Sequence, residues 1–377
     1  MIDTDNFSKS NIDTYGNVKL TDSNSELELY HYSECKNSDS DNLQQCRGLI
    51  YHNDKLLVKT FPYTLEYNDT QFTEISNIIQ DINEWRFFPS YEGTIIRVFY
   101  HLKWYVSTHR KLDAFKSRWS SKDSFGQIFM DALTDEVTLN SEFASRLQPG
   151  NILEKLCLTL NKEHQYVFLI LNTHQNRIVC DVPSTNLIYH VGTFKNNILD
   201  LDDNINITKP SSLPFTTIDD LCYHVYNTKS NINQGVICFN TKTNKQLKIV
   251  NKNYQYYYNA RGNISSIKFR YLQVRMDNEQ TNILKYLYPN YIEIFEQYET
   301  YIYNIALFIY QAYVNRFIKK QYITLPKEEF IVMKESQALY NSDRNHKITI
   351  NKVLTILNNQ PATNINHMIK RFLLPKK

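Results

Sequence analysis

No run of about 18 apolar residues occurs anywhere in this 377-residue chain, so no segment reads as a bilayer-spanning helix. The polar start MIDTDNFSKSNIDTYG has neither the basic nor the apolar region of a secretory signal. A soluble, cytoplasmic protein is the expectation. The six cysteines fall at irregular spacings with no Cys-x-x-Cys, and the ten histidines are scattered rather than paired, which argues against a patterned zinc site and for reduced thiols. A net excess of either charge is nearly lacking too: 42 Lys and Arg against 39 Asp and Glu leave +3. It is unevenly placed, with nine acids against three lysines before Arg47, and sixteen Lys and Arg against nine acids from residue 266 onward. A basic end of that kind suits an anionic partner.

What is present in quantity is apolar and aromatic surface, 42% and 14% of the residues, enough for a large core and for two domains. Residues 1–40 form a polar segment leading to an edge strand at Leu27–Tyr32. Gln45–Tyr51 and Lys55–Pro62 read as a hairpin around Asn53-Asp54. Helical spacing runs through 70–85, and a central hairpin spans Thr94–Thr108. His109–Trp119 interleaves basic residues with aromatics, a pattern able to hold phosphates and stack bases. A helix is expected at Ser124–Leu133, strands at Tyr166–Leu171 and Asn176–Cys180, and a further hairpin at Gln234–Phe239 and Gln246–Val250. Beyond Asn251 the pattern changes. Leu284, Leu287, Tyr291, Phe295, Ile302, Ile305, Ile309, Ala312 and Phe317 recur at steps of three and four, which predicts amphipathic helices. The fold class is therefore α+β, a mixed antiparallel sheet domain over 41–265 followed by an all-helical domain over 266–377.

The stretch that organises the rest is Ser90-Tyr91-Glu92-Gly93-Thr94. It has the form of the Lys-x-Asp/Glu-Gly attachment motif of covalent nucleotidyltransferases, with Ser90 where the lysine belongs. That chemistry needs an amine of lowered pKa to attack a nucleotide α-phosphate, and an unactivated serine does not replace it.

Cys46-Arg47-Gly48, Ser90-Tyr91-Glu92-Gly93-Thr94, Thr108-His109-Arg110, Asn176-Arg177-Ile178-Val179, Gln234-Gly235-Val236-Ile237 and Lys248-Ile249-Val250 follow one another along the chain. Together they resemble the nucleotidyltransferase domain of the phage T4 RNA ligase 1 family, an ATP-grasp-like ligase fold. Thr108–Trp119 and Tyr254–Arg275 are similar to ligase-related proteins of large DNA viruses. The resemblance covers roughly residues 30–275. It implies ATP-dependent sealing of RNA ends through a lysyl-adenylate, assisted by a divalent metal such as Mg2+. It also implies phosphate or nucleotide contacts at Arg47, Gly93, Arg110 and Lys248.

The departures weigh against activity. Ser90 stands for the nucleophile, Ile170 for a glutamate, Gln234 for the glutamate of Glu-Gly, and Val250 for the second lysine of the last motif. Losing all four removes most of the electrostatic stabilisation such a transfer requires. The expectation is thus a catalytically silent, ligase-like viral protein without catalytic residues or a metal site. RNA is its expected partner, held by a basic groove of Arg47, Arg97, Arg110, Lys111, Lys116, Arg118 and Lys248, and a viral protein partner is compatible, as is a viral factory or virion location. Two alternatives stay open: an active ATP- and Mg2+-dependent RNA ligase with a relocated nucleophile such as Lys103 or Lys111, and a purely structural subunit of a viral RNA-processing or expression assembly.

Overall fold

The computed structural model describes residues 7–146, 151–173, 178–240, 242–342 and 347–374. The chain divides into two compact units, Met1–Tyr256 and Tyr257–Lys377. The first is α+β with three sheets and the second is helical, the fold class expected from the alternation of patterns.

The first sheet is an antiparallel meander of β1 (Val18–Ser23), β2 (Glu28–Tyr32), β3 (Arg47–His52) and β4 (Lys55–Val58). The β3–β4 turn is at Asn53 and Asp54, with φ of 45° and 64°, the left-handed pair a two-residue hairpin demands. One expectation is corrected here. Leu27–Tyr32 is no edge, because β1 pairs along its outer side while β3 pairs along the other. Leu27 and Leu29 are fully buried with Ile50, Val58 and Phe99, and that burial holds an otherwise polar stretch in the sheet.

The second sheet has the order β11-β10-β9-β7-β8, all antiparallel, from β7 (Thr94–His101), β8 (Lys103–Ser107), β9 (His164–Leu171), β10 (Leu187–Lys195) and β11 (Ile198–Asp200). One face is covered by helices Phe125–Leu139 and Ile152–Thr159, where Ile96, Val98, Phe129, Leu133, Phe168 and Ile170 pack together. Its other face meets the third sheet through Phe61, Val167, Phe194 and Phe239. Both faces being covered, β9 reads as an unbroken apolar run rather than an alternating one.

The third sheet has the order β5-β13-β12-β6, from β5 (Leu65–Asn68), β6 (Trp85–Pro89), β12 (Gly235–Asn240) and β13 (Gln246–Val250), with β5 parallel to β13 and the rest antiparallel. Helices Phe72–Ile78 and Ile218–Asn227 close its outer face over Trp85, Phe87, Val236 and Leu247.

The strand expected at Asn176–Cys180 is corrected. Residues 174–177 lie outside the described residues, and 178–180 form bends. The antiparallel partner of β9 is β10, which arrives later in the chain. His109–Trp119 is neither strand nor α-helix but a loop holding a single 3-10 turn at Ala114–Lys116.

The second unit is built round the helix Ile292–Tyr313. Phe295, Ile302, Ile305, Ile309 and Ala312 are buried on it, against Val332 and Met333 of Lys327–Ser342, Val353 and Leu357 of Ile350–Asn358, and Ile365 and Met368 of Ala362–Phe372. The three- and four-residue steps of the sequence are thus the buried stripe. Arg275 reinforces it by clamping Glu299 with two guanidinium nitrogens, at 2.7 and 2.5 Å. Among the described residues no helix is long and apolar enough to cross a membrane.

Candidate functional site

A cleft of about 260 Å3 opens between the second and third sheets. Its floor is the junction of β6 with β12. Ser90 N donates to Gly235 O at 2.9 Å and Gln234 N to Ser90 O at 2.8 Å, which extends the β6–β12 ladder by one pair beyond Pro89. Ser90 is therefore fixed at the cleft by backbone pairing and is 5% exposed. Two glycines permit the close approach. A Cβ on Gly93 would sit 2.6 Å from Ile170 O, and Gly235, at φ 137°, would drive one into Ile249 O.

The walls are aromatic and aliphatic: Phe61, Phe88, Ile95, Leu169, Ile237 and Phe239. Beside them Tyr91 stacks on Tyr189, rings 5.1 Å apart and 6° from parallel. The basic groups lining the cleft are Arg47, Lys209 and Lys248, with His109 and His190. Arg47 donates to Pro62 O at 2.9 Å and Thr64 Oγ1 at 3.3 Å. Lys248 Nζ lies 2.5 Å from Glu66 Oε1 and 2.9 Å from Gln234 Oε1. Lys209 Nζ donates to Leu201 O at 2.7 Å, and burial lowers its pKa below the ordinary lysine value. Burial, followed by Arg47 and Arg97, holds His109 well below the usual imidazole range, and burial holds His190 at about 4. A planar apolar group between the aromatic walls, with an anionic end toward Arg47, suits this arrangement.

The motif acid Glu92 does not enter the cleft. It is buried and accepts from the backbone N–H groups of Ile178, Val179 and Cys180 and from Tyr254 Oη. Those bonds are why the residues before β10 bend instead of forming a strand.

The structure gathers Arg47, Ser90, Gly93, Gln234 and Lys248 into this one cleft. Other expected positions fall elsewhere. Ile170, taken as a cleft position, packs in the opposite core with Phe129 and Phe168, because strand side chains alternate; Leu169 faces the cleft in its place. Val250 is buried at the end of β13 and does not line the cleft.

Arg97, expected on a basic groove, is 1% exposed, and its guanidinium donates to Gly48 O and Thr108 O. It ties β3 to the end of β8 and is inaccessible to a polymer. Lys111 is paired with Asp22 at 3.4 Å. Arg110, Lys116 and Arg118 are exposed on the loop after β8. Neither Lys103 nor Lys111 lines the cleft.

Lys209, His190, Leu169 and the walls Phe88, Ile95 and Phe239 were not signalled by any motif. The period of two says which residues of β9, β10 and β12 share a face, but with both faces apolar nothing in the sequence says which face meets the cleft.

ATP with a protein-held divalent ion would need carboxylates at the cleft. Among the described residues lining it, Glu66 is the one carboxylate, and it is ion-paired with Lys248. The donor set does not fit a protein-held metal there.

Compared with solved structures, the chain is similar to ATP-dependent ligases. A putative ATP-dependent DNA ligase from Aquifex aeolicus matches with a TM-score of 0.39 and 13% identity, over 89% of this chain and 88% of that one. An archaeal ATP-dependent RNA ligase matches with a TM-score of 0.39 and 8% identity, over 74% of this chain and 70% of that one. In sequence the chain is similar to two proteins described as immediate-early protein ICP-46 homologs. That of Invertebrate iridescent virus 6 is 33% identical over 73% of this chain and 63% of its own length. That of Invertebrate iridescent virus 3 is 28% identical over 90% of this chain and 75% of its own length. The chain thus spans less than two thirds of the first relative. No family model matches it.

Proposed function

We propose that this chain is a non-covalent, ligase-like viral protein whose cleft receives a nucleotide or the end of an RNA without forming a nucleotidyl bond. The observation that carries the reading is Ser90 itself. It brings a hydroxyl to the cleft at the attachment-motif position, and Lys248, the motif lysine that lines the cleft, is paired with Glu66 at 2.5 Å. Among the described residues lining the cleft, the one carboxylate, Glu66, is taken by Lys248, so no amine flanked by free carboxylates stands beside Ser90. The aromatic walls and Arg47 support retention of binding, and the exposed Arg110, Lys116 and Arg118 support contact with an RNA backbone.

The test is incubation of the full chain with α-labelled ATP and Mg2+ or Mn2+, followed by denaturing electrophoresis and, in parallel, equilibrium binding of ATP. Saturable binding with no labelled band is expected; a band that survives denaturation overturns the reading.

One observation favours a second reading, an active ligase with a relocated nucleophile: the Lys209 amine lines the cleft and burial lowers its pKa. That reading requires a labelled band that disappears in Lys209→Ala, together with sealing of 5′-phosphorylated RNA. A third, a purely structural subunit, would show no RNA affinity at any salt concentration, whereas phosphate contacts weaken steeply as salt rises.

A further inference from the structure

Away from the cleft, three side chains that sequence spacing left unrelated come together in the first unit. Glu26 lies in the turn between β1 and β2, His52 ends β3, and His101 ends β7. One ligand atom from each, a carboxylate oxygen and two imidazole nitrogens, lies within 4.8 Å of the other two. Glu26 Oε2 is 3.6 Å from His52 Nε2. The two imidazole rings have centroids 4.3 Å apart and are tilted by 52°.

Packing alone explains this trio poorly. His101 Nε2 is buried with no hydrogen-bond partner, an arrangement that forfeits solvation of a polar nitrogen without a hydrogen bond to offset it. The backbone beneath is held independently of any ligand. His52 is paired with Lys55 across the β3–β4 hairpin, and His101 with Lys103 across the β7–β8 hairpin, whose turn residue Leu102 is left-handed at φ 60°. Two donors are thus positioned by rigid hairpins, while the third, half-exposed Glu26, has freedom to close on them.

We propose that Glu26, His52 and His101 form a binding site for a divalent transition-metal ion of the zinc class, with a fourth coordination position left for water or an incoming ligand. Two imidazoles and one carboxylate are a donor set that suits zinc, whereas magnesium and calcium take oxygen ligands almost throughout. Bonds of about 2.0 to 2.2 Å to such an ion require the donor atoms to draw in from their present spacing, chiefly by rotation of Glu26. Asn53 Nδ2, now 3.2 Å from His52 Nε2, would turn away to free that nitrogen. The bound ion would join three chain segments, the β1–β2 turn and the two hairpins, and would satisfy the orphaned His101 nitrogen. The site is distinct from the cleft. It lies at the far end of β7 from Gly93, and eight strand residues span about 24 Å.

The test uses the full chain, stripped with chelator and titrated with Zn2+ against a chromogenic competitor, with Co2+ as a spectroscopic probe of coordination. One tight equivalent per chain is expected in the wild type. Glu26→Gln, at an exposed turn position where folding is not at stake, should weaken it at least tenfold. The double variant His52→Ala/His101→Ala should abolish it together with the visible cobalt bands. Absence of a tight equivalent in the wild type overturns the proposal. So does an equivalent whose affinity and cobalt spectrum are unchanged in Glu26→Gln and in the double variant, since other donors would then hold the ion.

Discussion

Tyr254 Oη donates to Glu92 Oε1 over 2.6 Å, tying the segment after Ser90 to the helix that follows β13. With the N–H groups of Ile178, Val179 and Cys180 also directed at it, the acid of the motif acts as a fastener between chain segments. Glu92→Ala should destabilise the protein by about 3–5 kcal/mol, because it strands several buried donors at once. Tyr254→Phe, which removes one bond to a charged acceptor, should cost about 1.5–3 kcal/mol. Urea midpoints at neutral pH measure both, and a Glu92→Ala loss below that of Tyr254→Phe would contradict the assignment.

Acid should weaken the first unit through its buried histidines. Burial, then Arg110, Arg47 and Arg97, holds His31 at about 3, and burial holds His190 at about 4. Their unfolded value is near 6.5, so below it the unfolded chain takes up protons that the folded chain refuses. Stability is therefore full above pH 6.5 and falls as pH drops toward 4, by up to about 1.4 kcal/mol per pH unit for each histidine. Denaturant melts at pH 7.0, 6.0 and 5.0 should show this slope, and His31→Gln should flatten it.

The basic residues separate into two kinds, which mutation can distinguish. Arg97→Leu leaves the carbonyls of Gly48 and Thr108 without their donor and should cost about 1–3 kcal/mol of stability for each stranded acceptor. Replacing exposed Arg110, Lys116 and Arg118 together by alanine should leave stability within about 0.5 kcal/mol per site. For single-stranded RNA followed by fluorescence anisotropy, the triple variant should lower the logarithmic salt slope by about 2. An unchanged slope would remove this loop from the proposed RNA surface.

Much of the fold was legible because local rules and tertiary context agree. Asn53-Asp54 takes the left-handed turn its residue types favour, and Phe295, Ile302, Ile305 and Ile309 form the buried stripe their spacing predicts. The cleft was legible where a motif residue is fixed by backbone pairing, as Ser90 is against Gln234 and Gly235. It was illegible where facing decides, as at Ile170, since a strand buried on both sides carries no alternation to tell core from cleft. The described end of that expected strand, Ile178–Cys180, misled for another reason: a carboxylate from distant Glu92 takes backbone donors that a strand would have used.

By itself the sequence determined that a hydroxyl, not an amine, stands at the head of Tyr91-Glu92-Gly93, and that strands give way to helices past Asn251, because residue identity and periodicity are local properties. Only the tertiary structure decided that Arg97 is a buried fastener, that Lys209 reaches the cleft, and that Glu26, His52 and His101 meet. Those outcomes depend on which strand ends and faces the sheets bring together across long stretches of chain, and strand pairing over such separations leaves no signature in the spacing of the residues it joins.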